Sequence, residues 1–193
     1  MNAARVLLAA VFAHGAAAAA DSPDWDVARL MQELAAVKSS KARFVERRYV
    51  GILTSPRESS GTLLYVAPDR VEKRTLSPRI ESVLLERDEL TIETEQPKRR
   101  RTLRLDEVPA VGVFVESIRS TLAGDLATLK RVFDISLDGD ERQWRLVLKP
   151  TDANMQELVS EIRIHGRGSS IGSIDYLEPN GDRSTMTITR DAP

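Results

Sequence analysis

Apolar residues recur at Val27, Leu30, Met31, Leu34 and Val37, the three-and-four spacing of one helical face. The pattern predicts an amphipathic helix over residues 25–37, with Ser22 or Asp24 as its cap. Period-two alternation then takes over. A strand is expected from Lys41 to Val50, a polar turn from Ser55 to Gly61, and a second strand from Thr62 to Val66, which Pro68 ends because it cannot donate to a ladder. Between Arg70 and Leu105 the alternation repeats, with Val83 and Leu85 on one strand and Leu90 and Ile92 on the next. Arg87-Asp88 and Gln96-Pro97 punctuate them, and no helix-length pattern intervenes, so the pairing is expected to be an antiparallel meander.

One interruption stands out. From Val108 to Gly124, Val111, Phe114, Val115, Ile118 and Leu122 mark a helix face, Pro109 suits a first turn and Gly124 suits the stop. A further short helical turn is expected over 125–130. Strand signals resume at 132–137, 144–148, 158–165, 173–177 and 184–190, separated by glycine, proline and the Asn180-Gly181 turn. About ten strands with few helices must hide their edges, and this pattern by itself admits either a half-barrel or a sandwich.

Composition sets the compartment. Arg5, the apolar run from Val6 to Ala20 and the small residues Ala18-Ala19-Ala20 have the layout of a cleavable secretory signal. The reading is a signal peptide over 1–20 and a single domain over 21–193, exported to the periplasm. The absence of cysteine excludes both disulfides and lipid attachment through an N-terminal cysteine. With 28 basic against 29 acidic residues there is no positive excess to drive phosphate binding, which argues against a nucleic-acid partner.

Candidate chemistry is sparse. His165 is the one histidine of the mature chain and has no evident orienting partner, so a general base is not expected. Gly166, Gly168 and Gly172 do not have phosphate-loop spacing, and Asp138 and Asp140 flank a turn glycine. No cofactor or metal set is recognisable, and an enzyme is not expected. The densest charge is Lys98-Arg99-Arg100-Arg101. If Gln96-Pro97 turns the chain directly, Glu95 falls opposite Lys98 and Glu93 opposite Arg100, giving a solvated ion ladder. Arg101 shares a face with Leu103 and could instead reach inward to a helix backbone or a ligand carbonyl.

The order of these residues resembles the LolA family of periplasmic lipoprotein carriers. In that family a short helix precedes Ser-Phe-x-Ala-x-Phe-x-Gln, a glycine-led strand and Arg-Pro-x-x-Phe. Here the corresponding residues are Ser39-Ser40-Lys41-Ala42-Arg43-Phe44-Val45-Glu46, Gly61-Thr62-Leu63-Leu64-Tyr65 and Ala67-Pro68-Asp69-Arg70-Val71. The strand from Leu146 to Pro150 and the hairpin from Asp175 to Thr185 extend the likeness over nearly all of the mature chain. The resemblance implies a mainly β (α+β) fold: an unclosed antiparallel half-barrel with an N-terminal helix and an inserted lid helix over an apolar concavity.

It also implies carriage of a lipoprotein's or lipid's acyl chains toward the outer membrane by a monomer, between an inner-membrane donor and an outer-membrane acceptor. The candidate lining residues are Phe44, Leu64, Val66, Val83, Leu85, Leu90 and Ile92 from the sheet and Val111, Phe114, Ile118 and Leu122 from the lid, with Arg101 as the polar contact. Each would serve a closed core equally well. Ala67 replaces the family's latch arginine, Ser40 its phenylalanine, Glu46 its glutamine and Thr91-Ile92-Glu93 its aromatic cluster, which points to a divergent client. The alternatives are another envelope amphiphile, acyl or polyketide-derived, or a periplasmic sensor that binds protein.

Overall fold

A computed structural model describes residues 25–190; the signal segment and the expected caps Ser22 and Asp24 lie outside that range. Helix α1 (Val27–Ala35) is capped by Asp26, whose Oδ1 accepts from the Arg29 N–H at 2.8 Å. A six-stranded meander follows: β1 (Ser39–Tyr49), β2 (Arg57–Val66), β3 (Arg70–Ser77), β4 (Glu81–Glu86), β5 (Glu89–Glu95) and β6 (Lys98–Arg104). After a short 3-10 turn come α2 (Pro109–Ala123) and α3 (Leu126–Val132). A second meander ends the chain, with β7 (Phe133–Asp140), β8 (Gln143–Pro150), the short α4 (Ala153–Gln156), β9 (Glu161–Arg167), β10 (Ser170–Leu177) and β11 (Arg183–Arg190).

All eleven strands form one antiparallel sheet in the order β6-β5-β4-β3-β2-β1-β11-β10-β9-β8-β7. The first strand pairs with the last, so β6 and β7 are left as unpaired edges and the barrel does not close. The open half-barrel therefore holds and the sandwich does not. Laid flat, eleven strands would span about 48 Å, whereas α2 is about 22 Å long. The chain passes from one edge to the other through α2 and α3, so these helices must cross a face of a strongly curled sheet.

The helix boundaries follow from local chemistry. Gly124 ends α2 in a left-handed conformation at φ 68°, and a Cβ there would lie 2.3 Å from the Met31 carbonyl of α1. Asp125 then starts α3 by accepting from the Thr128 N–H at 3.0 Å. The β1–β2 hairpin is longer than the pattern suggested: Arg57 to Ser60 belong to β2 and pair with β1 rather than forming a turn. Their polarity reflects exposure, because Arg57 to Ser59 extend beyond the end of β3.

The packed core is one-sided. Leu30, Met31 and Leu34 of α1, Val113 of α2 and Leu129 of α3 bury against Phe133, Trp144, Leu146, Leu148, Ile162, Ile164 and Ile174 from β7 to β10. Leu146, Leu148, Ile162 and Ile164 are fully buried, two pairs of neighbouring residues on adjacent strands.

Candidate functional site

Paired residues in an antiparallel sheet share a face. Starting from buried Phe44, whose partner in β2 is Gly61, the register puts Leu63 and Tyr65 on the concave face with Ala42 and Ser40, and carries it on through Val71 and Lys73, Leu85 and Val83, to Leu90 and Ile92. Under α1 and α2 this side of the sheet encloses a cavity of about 320 Å³. Its walls include Val71, Val83, Leu85 and Leu90 from β3 to β5, Ile171, Ile174, Met186 and Ile188 from β10 and β11, Leu34 of α1 and Val37 just after it, and Val115, Ile118 and Leu122 from α2. Close-packed interiors hold few voids larger than a water molecule, and this hollow falls within the size range of small-molecule pockets.

Of the residues expected to line it, Val83, Leu85, Leu90, Ile118 and Leu122 do so. Leu64 borders the cavity, although its pairing with Lys41 and Glu72 places it on the opposite face from Leu63 and Tyr65. Val66 shares the Leu64 face, is exposed, and does not line the cavity. The correction has a simple cause: a one-residue difference in hairpin register exchanges the two faces of a strand. Phe44 is 2% exposed and lies outside the lining, with the Lys73 Nζ 4.9 Å from the centre of its ring. Ile92 is half-buried beside Val83 but outside the lining. Val111 and Phe114 lie in α2, and their side chains are outside what the structure describes.

Arg101 is corrected more sharply. It pairs with Ile92 on the concave face, as alternation requires, yet it is exposed, because β6 is the edge strand and only Leu103 on it is even partly buried. The expected register is present, Glu95 opposite Lys98 and Glu93 opposite Arg100, but among the described residues only the second rung is an ion pair, at 3.3 Å.

The cavity is not uniformly apolar. Lys73 projects from β3 on the concave face and pairs with Glu46, which also accepts from the Ser184 hydroxyl at 2.5 Å. Burial works against the Glu46 charge, but the charge of Lys73, hydrogen bonds from Lys73 and Ser184, and the nearby Arg48 outweigh it and hold the carboxyl below its ordinary value. Glu46 borders a second, more polar hollow of about 510 Å³, and Ile174 and Met186 border both spaces. Tyr65 lines the first cavity with its hydroxyl buried and without a partner; burial, then the nearby Asp69, raises its ionisation above the ordinary tyrosine value.

Pairing with the short β4–β5 turn shows how α2 is held. The Arg119 guanidinium donates to the Arg87 carbonyl at 2.8 Å, reaches Asp88 Oδ1 at 3.3 Å, and pairs with Glu116 of its own helix. Sequence reading missed this residue because arginine on a polar helix position is common; only the fold sets it against that turn. It missed the β10 and β11 walls too, since their place beside β1 is a long-range pairing.

His165 faces the other side of the sheet from Ile164, with its Nε2 3.3 Å from Asp175 Oδ2. Among the described residues no group of three or more His, Cys, Asp or Glu is placed to hold a metal ion. No helix among them is long and apolar enough to cross a membrane. The site thus offers apolar volume with a few hydrogen-bonding groups.

The family described as "Outer membrane lipoprotein carrier protein LolA-like" matches residues 16–192. The chain belongs to this LolA-like family. It is 26% identical over 190 residues to an outer-membrane lipoprotein carrier protein of Pseudomonas entomophila, covering 96% of this chain and 86% of that one. Among solved structures, a LolA superfamily protein from Nitrosomonas europaea superposes with a TM-score of 0.43 at 8% identity, covering 88% of this chain and 96% of that one. The Pseudomonas aeruginosa MucA/MucB complex gives 0.48 at 15% identity, covering 86% of this chain and 58% of that one. The LolA-like family is one of lipoprotein-binding carriers rather than enzymes.

Proposed function

We propose that this LolA-like chain is a periplasmic carrier that holds acyl chains of a lipoprotein or lipid in the 320 Å³ cavity and passes them toward the outer membrane. The observation that carries the reading is that cavity: one side of the curled sheet is left unfilled beneath its helices, with aliphatic side chains for walls. Every methylene moved from water into such a space is stabilised by roughly 0.8 kcal/mol, so a few chains are retained for transit and leave only for a better site. The apolar segment before Asp21 supports export, and an inner-membrane donor and an outer-membrane acceptor complete the path.

In this reading α2 is the lid and Arg119 is its tie. Ala67 stands where the family has an arginine, and the tie runs instead from the helix to the β4–β5 turn. To open, such a lid releases one guanidinium from a backbone carbonyl and an exposed carboxylate and lifts Val113 from the edge of the packed core.

The test is native mass spectrometry of protein purified gently from the periplasm, followed by lipid extraction and by uptake of added acylated peptide. Bound acylated species, lost in a Val83→Trp variant that fills the cavity, are expected. A clean apo mass with no uptake would overturn the proposal and favour a protein-binding role.

A further inference from the structure

We infer that the end of the sheet formed by the β1–β2, β3–β4 and β5–β6 turns is a docking surface for an anionic phospholipid membrane. Among the described residues seven large aliphatic side chains are exposed, and four of them, Ile52, Leu53, Leu76 and Ile80, gather at this one end. Single exposed aliphatics are ordinary; a gathering of them marks an interaction site. The antiparallel order fixes the placement, because β1, β3 and β5 all end here and β2, β4 and β6 all begin here. The Glu95 N–H donates to the Ile80 carbonyl at 3.3 Å, joining the second turn to the end of β5.

The surface is a set of projections rather than a groove. β2 residues Arg57 to Ser59 pair only with β1, since β3 stops opposite Ser60, so the β1–β2 tip stands clear of the sheet with Ile52 92% exposed. The Gly51 N–H donates to Asp182 Oδ1 at 2.9 Å, which holds the tip in place. A folded partner would need matching recesses for such tips, whereas a headgroup layer yields to them.

Charge selects the kind of membrane. Arg57, Arg79, Lys98 and Arg99 surround the aliphatic tips, are exposed, and form no ion pair among the described residues. Against these four stand Glu81, Glu95 and, bonded to the β1–β2 tip, Asp182; Glu58 is occupied by Arg47 at 2.9 Å and Arg48 by Glu178 at 2.9 Å. The excess is local, for the whole chain carries a formal charge of −1. The β7–β11 side of the same end carries both signs, with Asp152, Glu157 and Asp182 beside Lys130 and Arg131, so the more cationic face is the β1–β6 side. Aliphatic tips ringed by cations match hydrocarbon lying beneath anionic headgroups.

This surface does not depend on what fills the cavity, and its failure would leave the carrier reading untouched. The test is flotation of the full protein with phosphatidylethanolamine–phosphatidylglycerol vesicles and with phosphatidylcholine vesicles, across a salt series. Wild type, Ile52→Glu and Lys98→Glu/Arg99→Glu share the same N-terminal segment, so any pull of that segment on lipid is common to all three. Unchanged circular dichroism and thermal midpoint identify folded variants; these side chains are exposed, so both should fold. The expected result is binding to the anionic vesicles only, reduced about tenfold or more by Ile52→Glu and reduced, with a flatter salt dependence, by the charge reversal. Equal flotation of Ile52→Glu and wild type, equal binding to both vesicle types, or no binding at all would each overturn the proposal.

Discussion

The two sides of the half-barrel are built from the same material and finished differently. On the β7–β10 side, Leu146, Leu148, Ile162 and Ile164 pack in one core with α1, α3 and Val113 of α2. On the β2–β5 side, Val71, Val83, Leu85 and Leu90 face a hollow with α2 across it. Both have alternating strands and aliphatic residues. The difference lies in what comes down from the helices: Leu30, Met31, Leu34 and Leu129 of α1 and α3, with Val113 of α2, fill the packed side, while Val115, Ile118 and Leu122 of α2 roof the hollow without filling it. One side supplies stability, and the other keeps volume in reserve.

That contrast predicts unequal responses to mutation. Leu146→Ala should cost about 2–5 kcal/mol in denaturant unfolding, the full cavity-forming penalty. Val83→Ala, in a wall that already borders a void, should cost less than about 1.5 kcal/mol. Equal losses would show that the cavity side is packed as tightly as the core. Enlarging side chains should reverse the sense of the comparison: Ile162→Phe should cost about 1–3 kcal/mol through overpacking, whereas Val83→Phe should leave stability nearly unchanged and abolish acyl uptake.

Arg119→Ala should lower stability by about 1 kcal/mol, as loss of a partly buried hydrogen-bonding side chain does, while raising the exchange rate of a bound fluorescent acyl probe several-fold. An unchanged rate would remove Arg119 as the tie. The smallest effect concerns pH. The Glu46 carboxyl is held below its ordinary value, so its contribution to stability is present above the unfolded-state value and is lost as pH falls through the folded-state one. Thermal midpoints from neutral pH down into the acid range should therefore fall less steeply for Glu46→Gln than for wild type; parallel curves would mean that the Lys73 pair adds nothing.

Much of this was legible from local chemistry. The α1 stripe, the stop at Gly124, the Asn180-Gly181 turn and the Glu93–Arg100 register each depend on residues close in the chain, where turn geometry and periodicity act directly. The lining was legible only in part. Val83, Leu85, Leu90, Ile118 and Leu122 were found because alternation and helical spacing select a face, but Leu63 and Tyr65 were passed over for Leu64 and Val66 because no turn signature between Val50 and Pro56 pins the hairpin register. Arg101 went wrong for another reason: alternation gave its face correctly, and only its place on an edge strand leaves it in solvent.

The sequence by itself determined which segments are strands and helices, where they turn, and that the chain resembles the LolA-like carriers. Tertiary structure decided that β1 joins β11, that the helices pack down on one side of the sheet and span a void on the other, and that Arg119 meets the β4–β5 turn. The physical reason is range. Backbone preference and periodicity are properties of a few neighbouring residues, whereas a cavity is a difference between the volume a curled sheet encloses and the volume distant side chains fill.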